Sequence, residues 1–243
     1  LFVAQHDKIH KNENEVMTSI EILTDYSNKL NYMVLHAILI EDRNDVERIR
    51  TIKHILKICE ELQNLNNYHA LFSLLGGLNN SSIQRLDNLW KNKKYTGQFT
   101  KLTEIIDPSD NYKTYRGLIN GNITNNMIEN VGNIPNNDIN VIHYIGITIG
   151  DLKHALERNL YDINNGSFNM NLYNVLLKIL DNFKNSPMNY NIEKNDLVFK
   201  WISNIKIVYT DSHFYDISKN IKPNVNKQLN EYLISNGLVK DSA

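Results

Sequence analysis

Residues 44–63 read NDVERIRTIKHILKICEELQ. Val46, Ile49, Ile52, Leu56, Cys59 and Leu62 recur every three or four positions, with Arg48, Lys53, Lys57 and Glu60 between them. That spacing places one apolar stripe along an α-helix and leaves charges on the other faces. Each apolar side chain buried from such a stripe contributes roughly 1.5–3 kcal/mol, so this helix belongs in a core. Downstream, Tyr68, Leu71, Phe72 and Leu75 predict a second helix over about 67–75, and Gly76-Gly77 reads as its end. Further helical patterns cover about 82–90, 97–106, 110–118, 151–158, 171–184, 194–203 and 211–219.

Only four prolines and ten glycines interrupt 243 residues, and no series of alternating strands stands out. Val141 to Ile149 could form a short extended piece. The Asn-rich stretch 120–140 and residues 161–169, with Asn164-Asn165-Gly166, read as loops. The expected fold class is all-α. No internal repeat or domain linker is visible, which favours one domain over 1–243.

Composition narrows the function. A formal charge of -1 disfavours a nucleic-acid partner, because phosphate neutralisation demands a basic excess. No apolar run of about 18 residues suggests a membrane span. Residues 1–15 carry polar side chains along most of their length, from Gln5 to Glu15, unlike a secretory or transit leader. One cysteine, Cys59, allows no internal disulfide. The sequons at Asn79, Asn80, Asn122 and Asn165 carry little weight without a leader. The expected compartment is the cytoplasm, with work at the membrane surface allowed.

Ordinary catalytic signatures are missing. The sequence contains no phosphate-cradling G-x-x-x-x-G-K-S/T, no G-x-G-x-x-G, no H-E-x-x-H and no G-x-S-x-G. His6 and His10 could share a helix face, but in a polar terminal segment they read as surface residues. Gly146-Ile147-Thr148-Ile149-Gly150 lacks the lysine of a phosphate loop and reads as a turn before a helix. No metal or cofactor is called for, and no residue stands out as a nucleophile.

Five blocks in order carry a resemblance. Leu65-Asn66-Asn67-Tyr68, Gly77-Leu78-Asn79, Ser81 through Leu86 and Trp90 form the first. Asp107-Pro108-Ser109-Asp110-Asn111-Tyr112-Lys113-Thr114-Tyr115-Arg116 is the second, and Tyr144-Ile145-Gly146 with Asp151-Leu152 and Glu157 the third. Ser186-Pro187 with Tyr190 to Glu193, and Tyr215 to Ser218 with Ile221-Lys222-Pro223, close the series. From about Ala37 to Pro223 the chain resembles the Cdc25-homology, or RasGEF, catalytic domain. It departs from that pattern in three places: no Trp in the opening motif near Asn28 to Val34, His143 where a proline is usual, and an uncharged Asn169-Met170-Asn171.

The resemblance implies a single irregular bowl of helices with a protruding helical hairpin, about 149–184, and a truncated first helix. It implies a guanine-nucleotide exchange factor without covalent chemistry, acting as a monomer on a Ras-, Rap- or Ral-type small GTPase. Leu152 and Glu157 carry over to the hairpin face that would wedge open the partner's nucleotide site. Lys153 stands where relatives often place an apolar or small residue. Phe72, Tyr112 and Tyr144 carry over to a pocket for the partner, with Asn79 bonding polar groups nearby. Bland readings stand beside these: Glu157 as a solvated helix residue, and Phe72 as plain core. Arg85 is expected to brace the fold through a carboxylate. The alternative to exchange is a degenerate domain that binds a GTPase or another protein without releasing nucleotide.

Overall fold

The computed structural model describes residues 18–40, 43–119, 140–157, 169–184 and 190–222. Two capping boxes open it. Thr18 accepts from the Glu21 amide at 3.3 Å while the Glu21 carboxylate accepts from the Thr18 amide at 2.8 Å, starting α1 (Ser19–Leu39). Asn44 and Glu47 repeat the exchange at 3.0 Å each way and start α2 (Asp45–Asn64). On α2 the expected stripe holds at Ile52, Leu56 and Cys59, all fully buried. Val46 departs from it, standing 67% exposed in the first turn. Arg48, read as a surface charge, is buried and donates from Nε to the Ile38 carbonyl at 3.0 Å, satisfying one of the orphan acceptors at the end of α1.

The sequence patterns place no helix over α1, yet α1 is the central packing element. It lies along α3 (Tyr68–Leu78) and also touches α2, α9 (Asp196–Ser203) and α10 (Asp211–Ile221). Leu30, Val34, Leu35, Ile38 and Leu39 are buried, and so is Tyr32, which meets Phe214 of α10 edge-on at 5.5 Å. With partners on several sides, α1 carries no single stripe.

The second expected helix does not stop at Gly76-Gly77; α3 continues to Leu78. The glycines serve packing. A Cβ on Gly77 would lie 2.8 Å from Val34 Cβ and 3.0 Å from the Asn31 carbonyl oxygen. One turn earlier, Ser27 and Ser73 share a hydrogen bond at 2.6 Å. Small residues on α3 therefore let α1 approach closely along the whole contact.

The expected helix over 82–90 divides into α4 (Ser81–Gln84) and a 3-10 turn, Asp87–Trp90. Arg85 braces this corner by donating to the Ser218 carbonyl of α10 at 2.5 Å. α5 spans Lys93–Ile106. The expected helix from Asp110 begins later, as α6 (Lys113–Ile119), after a 3-10 turn over Ser109–Asn111. The extended piece expected over 141–149 is confined to its start: Ile142 pairs with Asn67 in an isolated parallel bridge, and α7 (Ile145–Leu156) takes the rest. α8 (Met170–Lys184) packs on α7.

Among the described residues there are only helices, turns and that one bridge, so the fold is all-α. None of the described helices is long and apolar enough to cross a membrane. Residues 120–139 and 161–168 of the expected loops, and His6, His10, Asn122 and Asn165, lie outside the described residues.

Candidate functional site

Two backbone segments, 66–69 and the stretch around Ile142, bring the site together. The Ile142 carbonyl accepts from the Tyr68 and His69 amides at 3.0 and 3.3 Å, and the Ile142 amide donates to the Asn66 carbonyl at 3.0 Å. These bonds satisfy donors at the N-terminus of α3 and hold Tyr144, two residues on, over that helix. Tyr144 is the N-cap residue of α7. Its ring stacks on Phe72 with centroids 4.4 Å apart and planes at 14°. Tyr112 approaches Phe72 at 6.1 Å. Phe72, Tyr112 and Tyr144 thus form one cluster of rings. Phe72 is 8% exposed, so it is core and pocket floor at once.

Gly146 completes the arrangement. A Cβ there would lie 2.7 Å from the Tyr144 ring, so only glycine lets that ring fold back over the first turn of α7.

Three residues join the cluster that the sequence reading did not single out. Tyr115 meets Phe72 edge-on at 5.3 Å, and its hydroxyl accepts from the Tyr144 amide at 3.3 Å. The same hydroxyl lies 3.2 Å from His143 Nδ1. Burial pushes the Tyr115 hydroxyl up to about 12. His69 lies between Tyr26 and Tyr144, at 6.4 and 6.0 Å. Its Nε2 sits 3.1 Å from the Leu23 carbonyl, and its Nδ1 is buried without a partner. Burial lowers the pKa of both His69 and His143 and raises that of Tyr144. The third, Arg116, bonds the turn that presents Tyr112.

That turn is unusual. Asp110, Asn111 and Tyr112 have φ of 50°, 57° and 57°, the left-handed region. Asp and Asn tolerate it, but for a tyrosine it costs on the order of 1–3 kcal/mol and requires outside support. Arg116 supplies that support: its Nε donates to the Asn111 carbonyl at 2.8 Å and one terminal nitrogen to Asn111 Oδ1 at 3.2 Å. Its two terminal nitrogens also grip the Asp151 carboxylate of α7 at 2.9 and 2.7 Å.

The carried-over hairpin residues lie further along α7. Leu152 is half-buried, while Lys153 and Glu157 are exposed. Glu157 is the C-cap of α7, its carboxylate 3.6 Å from exposed His154. Asn79 is exposed at the C-cap of α3, two turns beyond Phe72, and does not line the cleft. That cleft, about 790 Å³, opens beside the cluster, bordered by Ser27, Asn31, Phe72, Ser73, Tyr144 and Ile149.

Chemically the surroundings suit docking. Cys59 is buried and its thiol is pushed up to about 12 by burial and by Glu60, the opposite of an activated nucleophile. Among the described residues no group of three His, Cys, Asp or Glu side chains could hold a metal. The described residues thus form an all-helical domain with an aromatic cluster beside an open cleft, at the root of a helix whose far end is exposed and charged. Residues 2–196 match the family model described as RasGEF domain, and the chain belongs to the RasGEF domain family. It is 26% identical over 168 residues to Ras guanine nucleotide exchange factor P of Dictyostelium discoideum, covering 67% of this chain and 10% of that protein. It is 25% identical over 218 residues to guanine nucleotide-releasing factor 2 of Drosophila melanogaster, covering 89% and 13%. It is 32% identical over 104 residues to Rap guanine nucleotide exchange factor 6 of Homo sapiens, covering 42% and 6%. The matched stretch is thus 6–13% of the length of these three relatives.

Proposed function

We propose that this chain is a guanine-nucleotide exchange factor that binds a Ras-family small GTPase, opens its nucleotide site and promotes GDP release. One observation carries the reading: the stacked Phe72–Tyr144 pair, with Tyr112 against Phe72, borders an open cleft at the root of α7, whose far end carries Glu157 in solvent. A partner's apolar or aromatic side chain entering that cleft is anchored by ring contacts. The same engagement brings α7 against the partner. Leu152 presses on the segment covering the nucleotide, and the Glu157 carboxylate competes for the donors and cation that hold its phosphates. Asn79, exposed at the C-cap of α3 away from the cleft, bonds polar groups of the partner nearby. None of these steps makes or breaks a covalent bond.

Exchange follows from linkage. A factor that binds the empty GTPase more tightly than the loaded one weakens nucleotide affinity by the same ratio. Release is accelerated in both directions, and the prevailing nucleotide sets the product. The test is a pull-down against nucleotide-free Ras-, Rap- and Ral-type GTPases, followed by release of a fluorescent nucleotide from those that bind. The reading expects capture of empty GTPase, dissolution of the complex by excess GDP or GTP, and faster release.

Lys153 favours a second reading. It places an exposed cation beside Leu152, on the face that would press into the partner. Tight capture of an empty GTPase without faster release would make the chain a binding module.

A further inference from the structure

Arg116 reaches both halves of the site, the turn that presents Tyr112 and the middle of α7. It sits one helical turn after Tyr112, and helical side chains lean toward the N-terminus, so it reaches back over the left-handed turn. There it holds the Asn111 carbonyl and amide oxygen at 2.8 and 3.2 Å. With the remaining donors it grips both oxygens of Asp151, in the middle of α7, at 2.9 and 2.7 Å. The neighbouring Tyr115 meets α7 at its base, through the Tyr144 amide at 3.3 Å. α6 therefore grips α7 at two points seven residues apart, roughly 10 Å of helix. Two grips at that separation determine a direction.

We propose that Arg116 is a positioning residue that couples the two levers of exchange: it holds the turn presenting Tyr112 and, through Asp151, aims α7 and its Glu157 end. This rests on the exchange reading above. A guanidinium is suited to the role, because its planar fork can bond a carboxylate bidentately while a third N–H serves a carbonyl; an ammonium cannot do both.

The two arms predict separable effects. Asp151→Asn leaves Arg116 on Asn111, so the anchor stays formed while α7 loses its aim. In saturation kinetics of nucleotide release, Asp151→Asn is expected to lower kcat roughly tenfold with little change in KM. Arg116→Lys releases both arms, lowering kcat as far and raising KM several-fold. The double variant should match Arg116→Lys in kcat, since both changes break one linkage. Hydrogen–deuterium exchange on the free chain needs no partner: Asp151→Asn should speed exchange along 145–156 alone, and Arg116→Lys along both 110–116 and 145–156. Multiplying kcat losses in the double variant, or an Arg116→Lys chain that exchanges at the wild-type rate in either segment, would overturn the coupling. If no GTPase responds to the wild-type chain, the exchange reading fails, and the exchange pattern of the free chain still decides whether Arg116 joins the two segments.

Discussion

Tyr144 is held by Phe72 on one face, by His69 at 6.0 Å, by Gly146 beneath it and by Tyr115 through its backbone amide. A ring so constrained loses little freedom when a partner docks, which is what makes an aromatic side chain an effective anchor. Tyr144→Ala is expected to weaken binding to an empty GTPase by about 2 kcal/mol, roughly thirtyfold, in a titration by fluorescence anisotropy. Tyr144→Phe keeps the ring and should lose only a small part of that. Equal losses for the two variants would move the anchoring from the ring to the hydroxyl. Glu157 presents the opposite case. Its side chain is 74% exposed, so Glu157→Ala should leave thermal stability within about 0.5 kcal/mol. On the wedge reading the same change slows nucleotide release by about tenfold or more. Release at the wild-type rate would return Glu157 to an ordinary solvated residue. Neither role is visible in local sequence. Phe72 looks like core and Glu157 like surface, Tyr144 offers only a polar tip beside a loop, and the resemblance is what singles them out. Tyr115, His69 and Arg116 went unmarked because each neighbours a marked residue and carries the pattern of an ordinary helix face.

At the scale of elements, the glycine pair of α3 separates two effects that a sequence pattern merges. A helical glycine costs about 1 kcal/mol relative to alanine, so either glycine should look like a place to gain stability. For Gly77 the packing term wins. The added methyl would sit 2.8 Å from Val34 Cβ and 3.0 Å from a backbone oxygen, neither of which can swing away. Overpacking of this kind costs about 1–3 kcal/mol, so Gly77→Ala is expected to lower the melting temperature. For Gly76 the nearest atom is the Asn31 side-chain nitrogen at 3.3 Å, the end of an amide that can rotate. Gly76→Ala should therefore hold or raise the melting temperature, and a calorimetric comparison of the two variants checks the sign. The same contrast explains what was legible. α2 packs one face and keeps the other in water, so its period shows. α1 packs against several elements and its period is blurred by Asn28, Asn31, Tyr32 and His36. The break at 110–112 was equally hidden, because a tyrosine gives no sign of a left-handed backbone; Asp110-Asn111 was the only available signal.

For the molecule as a whole, the site is framed by two histidines whose burial disfavours the charged ring. His69 Nε2 faces the Leu23 carbonyl, which only accepts, so that nitrogen carries the proton and the buried Nδ1 is bare. A second proton would create a buried N–H without an acceptor. His143 Nδ1 faces the Tyr115 hydroxyl, which already accepts from the Tyr144 amide and has one proton of its own to give. Burial lowers the pKa of both rings below the ordinary 6.5, with the Leu23 carbonyl working the other way at His69. The unfolded chain therefore takes up protons first as pH falls through about 6.5, and stability rises with pH wherever that is so. Stability from these two groups is complete above about 6.5 and declines below it, until the folded rings also protonate. The limiting slope is about 1.4 kcal/mol per pH unit for each histidine. Urea unfolding between pH 7.5 and 5.5, a window chosen to stay above the carboxylate range, should show a level portion and then a fall. His69→Phe keeps a flat ring between Tyr26 and Tyr144 but cannot titrate, and should reduce the slope by up to half. Because protonation of either ring disturbs the seat of Tyr144, binding to an empty GTPase should weaken over the same window. A chain equally stable at both ends of the window, or a His69→Phe variant with an undiminished slope, would place these rings in contact with solvent protons in the folded state and remove the frame around the anchor.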